Sequence, residues 1–87
     1  MKISKVFGQI LKEFRTERGF SQERLGFESG YHRTYISLLE RGQKSPSLNT
    51  IFKLAESLNI TPSEMILRVE EELGTSKNKR KRKESKK

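Results

Sequence analysis

The stretch QERLGFESGYHRTYISLLER, residues 22–41, decides the fold. Ser21, just before it, is suited to cap a helix start, with Gln22 and Glu23 in the first turn. Leu25 is the apolar anchor of that helix, and Gly30 stops it. Gly26 lies inside the helix. A helical glycine costs about 1 kcal/mol relative to Ala, so its presence points to a second backbone passing close by. Gly30 supplies the positive φ that a tight turn needs. A second helix then runs from about Arg33 to Arg41, with Gly42 at its end. His32 occupies its N-cap, a weaker choice than Ser or Asp. Leu25, Tyr31, Ile36 and Leu39 point inward and seal the pair. The pattern is helix, glycine turn, helix, with no length to spare.

Working outward, Ile3, Val6, Phe7, Ile10, Leu11 and Phe14 recur at three- and four-residue spacing. They form the apolar face of an amphipathic first helix, which Ser4 is expected to cap and Gly19 to end. After residue 41, GQKSPS (42–47) is turn chemistry, with Pro46 barring helix before it. Ser47 caps a fourth helix, Leu48–Leu58, carrying Leu48, Ile51, Phe52, Ala55 and Leu58 at helical period. Asn59 is placed to take the left-handed position after it. Thr61-Pro62-Ser63-Glu64 is a capping box with proline in the first turn, so a fifth helix covers about 62–73 and stops at Gly74. Nothing alternates with period two. The expected fold is all-α, with five helices.

The chain has 87 residues, with 19 Lys+Arg against 11 Asp+Glu and a net charge of +8. Residues 75–87 (TSKNKRKRKESKK) hold eight of the basic residues and one Glu, and no apolar residue. The chain thus divides into one domain, 1–74, nearly neutral overall, and a basic tail, 75–87, that has nothing to bury and is expected to be disordered. There is no Cys, and His32 is the only His, so thiolate and histidine metal sites and nucleophile–base pairs fall away. Neither a cofactor nor a metal is expected. Glu70, Glu71 and Glu72 read as solvated surface, and no convergent acid/base set suggests an enzyme. No apolar run approaches the roughly 18 residues of a membrane span, and the N-terminus lacks the apolar region of a signal peptide.

Residues 22–41, and beyond them HRTYISLLERGQKSPSLNTIFKLAESLNITPSEMI (32–66), resemble the helix-turn-helix of the Cro/phage-repressor family, also called the xenobiotic-response-element family. The resemblance spans about residues 3–70. Within the family, RTYISLLERG followed by PSL is most similar to the small controller proteins of restriction–modification systems. The resemblance implies a five-helix lambda-repressor-like domain that binds double-stranded DNA. It also implies which residues do so. Arg33 and Thr34 match the start of the recognition helix, with Ser37 and Leu38 one turn on. Arg33 can pair bidentately with guanine, and Thr34 can bond a base edge or meet a thymine methyl. Leu38 suits thymine-methyl contact or no readout. Tyr35 either reaches the DNA or packs beside the helix. Ser21 and Gln22 match a helix start that holds a phosphate. Arg41, Gln43 and Lys44 match the loop that follows the DNA backbone. Arg15 and Glu40 match a buried ion pair that orients the recognition helix.

Three positions depart from the family pattern. Gly26 stands where Ala is commoner. Phe27 is bulky where a polar residue is usual, and is expected to cover the first helix. His32 replaces a Ser or Asp cap. In the fifth helix Met65 and Ile66 are expected to face the core, leaving Leu67, Val69 and Leu73 as a stripe for a partner, by resemblance a second copy. The reading is a cytoplasmic, nucleoid-associated regulator that binds a palindromic operator as a homodimer. An antitoxin-type interaction protein that also binds its own promoter is the alternative, and RNA binding through the basic tail is a third. Activation and repression are not distinguished by sequence.

Overall fold

The computed structural model of the chain describes residues 2–74; the expectations for the basic segment 75–87 fall outside that range. The described residues form five helices and no strand: α1 (Lys2–Glu17), α2 (Gln22–Ser29), α3 (Arg33–Glu40), α4 (Leu48–Ser57) and α5 (Pro62–Leu73). Local chemistry sets most of their limits. The Ser21 and Ser47 hydroxyls accept from the backbone N–H groups of Arg24 and Thr50, at 2.9 and 3.1 Å. Thr61 and Glu64 close a reciprocal capping box. His32, a weak cap by residue type, does cap α3: its Nδ1 accepts from the Thr34 N–H at 3.1 Å. Asn59 takes φ 59° and is the one non-glycine residue with positive φ among those described.

The core lies where the five helices meet. Ile10, Leu11, Leu25, Ile36, Leu39, Leu54, Leu58 and Met65 are its fully buried members. Each contributes roughly 1.5–3 kcal/mol of hydrophobic stabilisation. α1 packs against α3 and α5, α2 against α3 and α4, and α4 against α5. Arg68 of α5 lies over the Phe14 ring at 4.1 Å and reaches Glu13 and Glu17 at 3.2 and 3.5 Å, tying α5 to α1. Exposed pairs of this kind contribute less than about 1 kcal/mol.

Three expectations are corrected. Ser4 does not cap α1. The helix has already begun at Lys2, and the Ser4 hydroxyl lies buried, 2.6 Å from that of Ser45. Phe27 does not cover α1. It points away from the core on the far side of α2 and is 83% exposed. On α5, Val69 is buried and belongs to the core, whereas Ile66 is exposed together with Leu67. The stripe left on α5 is therefore Ile66 and Leu67, with Leu73 half-buried against the core.

Candidate nucleic-acid interface

The turn between α2 and α3 is built on Gly26 and Gly30. The Gly26 carbonyl accepts from the N–H groups of both Gly30 and Tyr31 at 2.9 Å. Gly30 takes φ 83° to make this possible. A β-carbon on Gly26 would lie 2.7 Å from the Tyr31 carbonyl oxygen and 3.2 Å from the Arg33 nitrogen. The chain re-enters α3 directly against α2, which is the close approach expected from a helical glycine.

α3 is held in place at its far end. Arg15 grips Glu40 through two bonds, Nε to Oε2 at 2.5 Å and Nη2 to Oε1 at 3.0 Å, and its Nη1 donates to the Phe20 carbonyl at 2.7 Å. Gln22 adds an amide donor to Glu40 Oε1 at 3.0 Å. The Arg15 and Glu40 side chains are 9% and 3% exposed, so the pair is desolvated. Every nitrogen of the Arg15 fork and both Glu40 oxygens are engaged, which is what a buried charge pair needs to be tolerated. One carboxylate thus joins α1, the turn after it, α2 and α3.

The opposite face of α3 is open. Arg33 and Thr34 are exposed, while Ser37 and Leu38 are partly so. Gln22, Arg33, Thr34 and Ser37 line a shallow cleft of about 180 Å³ between the starts of α2 and α3. The profile of the Helix-turn-helix family matches residues 11–65, the span from mid-α1 into α5. The chain belongs to that family.

Its relatives agree with this membership. Control protein C.BamHI of Bacillus amyloliquefaciens is 40% identical over 62 residues, covering 70% of this chain and 76% of its own length. Control protein C.SmaI of Serratia marcescens is 34% identical over 68 residues, covering 78% and 81%. The crystal structure of the restriction-modification controller protein C.AhdI from Aeromonas hydrophila is similar with a TM-score of 0.73 at 48% identity, covering 75% of this chain and 98% of that one. The protein is a DNA-binding transcriptional regulator of the helix-turn-helix family.

Within this helix-turn-helix, the remaining candidate residues are placed as follows. Tyr35 packs half-buried against the core, its ring 5.0 Å from that of Tyr31. Gln22 is partly occupied: one amide hydrogen serves Glu40, leaving the other. Arg41 turns back along α3, its Nε 3.3 Å from the Ser37 hydroxyl. Gln43 and Lys44 lie on the loop after α3, with Lys44 exposed. That loop is fastened from beneath: its Ser45 meets Ser4, and a β-carbon on Gly42 would lie 2.9 Å from Lys5 Cα. Nothing in the sequence points to a role for Ser4 in the loop, for Lys5, or for Thr50. Thr50 is 4% exposed, and the hydroxyls of Tyr31, Tyr35 and Ser47 converge on it. Apart from the Ser47 link, these contacts join segments distant in sequence, so no local signal announces them. Of the described residues, no helix is long and apolar enough to cross a membrane.

Proposed function

We propose that this protein controls a restriction–modification operon by binding a palindromic operator as a homodimer in the bacterial cytoplasm. The observation that carries the reading is the exposed start of α3 on a helix whose other end is clamped by Arg15, Glu40 and Gln22. A reader of base edges must be rigid as well as exposed, because hydrogen-bond discrimination fails when donors wander. Arg33, Thr34, Ser37 and Leu38 read bases in the major groove. Ser21, Gln22, Tyr35, Arg41, Gln43 and Lys44 hold phosphates on either side. The names of the relatives support the restriction–modification setting.

The second copy docks on the face shared by α4 and α5. Leu48 is 72% exposed, Phe52 58%, and Ile66 and Leu67 45% each. With Ile51 and Pro62 they line one groove of about 530 Å³. A contiguous apolar surface of this kind is costly for a monomer to leave wet. An isologous dimer through it sets two copies of α3 about 34 Å apart, one turn of DNA.

Selection of bound duplexes from a random DNA pool, with the full chain and with residues 1–74, tests the proposal at about 150 mM salt, where phosphate contacts alone bind weakly. The expected product is an inverted repeat with half-sites one turn apart, recovered by both proteins. Recovery without any enriched motif would overturn the readout assignment. A single half-site would overturn the dimer.

A further inference from the structure

Thr50 lies in the first turn of α4, behind the recognition surface, and its hydroxyl has three partners. The Tyr31 hydroxyl donates to it at 3.1 Å, the Tyr35 hydroxyl lies 3.3 Å away and the Ser47 hydroxyl 3.0 Å away. Ser47 Oγ also accepts from the Thr50 N–H. A threonine hydroxyl has one proton to give and accepts two, so these contacts saturate it. We propose that Thr50 is a positioning residue for DNA readout: its hydroxyl fixes Tyr35 on α3 to Ser47 at the end of the backbone-following loop. The proposal rests on the reading of α3 as the helix that reads bases.

Counting protons gives the coupling a direction. The cluster has four hydroxyl protons and three bonds between hydroxyls, so one proton is left to give outward. Tyr31 donates inward. Thr50 therefore accepts one further proton, from either Tyr35 or Ser47, and donates its own to the other. Whichever of the two receives the Thr50 proton keeps its own to give away. An acceptor that takes the Ser47 proton leaves Tyr35 donating inward and offering a lone pair outward. An acceptor that takes the Tyr35 proton reverses the chain. Ser47 is exposed at the end of the loop, and Tyr35 is half-buried on α3, so a contact at one sets the hydrogen-bonding sense of the other. The Tyr31–Tyr35 ring contact and Lys53 over the Tyr31 ring at 5.6 Å hold the two phenols against α4. A valine at position 50 fills the same space but carries no hydroxyl, so it removes all three links without opening a cavity.

The test compares Thr50→Val and Thr50→Ser with the unaltered full chain, in amide spectra of the free protein and in binding to selected and scrambled duplexes. Thr50→Val is expected to shift the amides of residues 33–38. It should weaken binding to the selected duplex about tenfold, roughly the worth of one well-made hydrogen bond, and change binding to the scrambled duplex less than about twofold. Thr50→Ser should restore both. Amides of 33–38 that stay in place in Thr50→Val would overturn the proposal, as would equal losses on both duplexes. If the unaltered protein bound both duplexes alike, the readout assignment would fail, while the amide spectra would still decide the positioning role. Should Thr50→Val not fold, Tyr35→Phe removes only the Tyr35 link, and the amides of residues 47–50, across that link, decide the question: if they stay in place the proposal is overturned.

Discussion

Gly8 of α1 sits so close to Glu40 that a β-carbon on it would lie 2.5 Å from the Glu40 carbonyl oxygen. The first helix and the end of α3 therefore meet backbone to backbone. Gly8→Ala forces the two apart and is expected to cost about 1–3 kcal/mol in urea unfolding, the usual range for overpacking. That figure is net of the roughly 1 kcal/mol that alanine gains in helix propensity, because the atoms it meets are backbone and cannot step aside cheaply. An unchanged or raised midpoint would show that the crossing yields easily.

The Arg15–Glu40 pair lies under the same crossing. Arg15→Met strands a carboxylate whose side chain is 3% exposed, and is expected to cost about 3–5 kcal/mol. Adding Glu40→Leu should recover most of that loss, because the desolvation of both charges disappears together. The double variant should still discriminate poorly between operators, since Gln22 and the Phe20 carbonyl lose their shared anchor. Stability and discrimination measured on the same three proteins separate the two roles. If the double variant discriminated normally, the pair would have no orienting role.

Much of the fold was legible because helix limits are written in adjacent residues. Ser21, Ser47, Thr61 with Glu64, and Asn59 each act on backbone within a few positions, and each does what its chemistry predicts. Gly26 was legible too, since a glycine inside a helix demands a steric cause. What failed depended on distant partners. Ser4 has the composition of a cap, but its partner is Ser45, far along the chain and reached only once the helices between them have packed. On α5, Ile66 and Val69 are both apolar and three residues apart, and only the rotation of the helix against α1 and α4 decides that Val69 goes inside. Thr50 looked like an ordinary helix residue. Its meaning comes from two tyrosines on the other side of a loop.

Arg33 offers the cleanest probe of readout. Arg33→Ala is expected to cost about 1–3 kcal/mol on the selected operator and to relax preference at one base position. Binding to unrelated DNA should fall much less. Competition with operators altered one base at a time measures this. Preserved preference at every position would remove Arg33 from the set of base readers.

Phe52→Glu and Leu67→Glu place charges on the exposed apolar face. Both proteins should keep their helical signal, with an unfolding midpoint lowered only by the lost stabilisation from dimerisation and no longer dependent on protein concentration. Sedimentation should show monomers, and operator binding should become less cooperative. Val69→Glu serves as the contrast. Its side chain is 7% exposed, so the charge is buried and the protein should unfold rather than dissociate. Dimers persisting in the first two variants would place the interface elsewhere.

Removal of residues 75–87 takes away eight Lys/Arg and one Glu. Binding to all duplexes should weaken by a similar factor, and the slope of its salt dependence should flatten by about 0.9 for each phosphate that these residues neutralise. Weakening confined to particular sequences would mean that these residues read bases or groove shape.

Phe27 stands on the outer face of α2, 83% exposed and outside the core. The chain contains neither cysteine nor tryptophan. A single Phe27→Cys or Phe27→Trp exchange therefore installs a unique thiol or indole on the outer face of α2, on a side chain the interior does not use. The same residue that adds nothing to packing makes the molecule easy to label, so the approach of DNA can be followed by light in an otherwise unmodified protein.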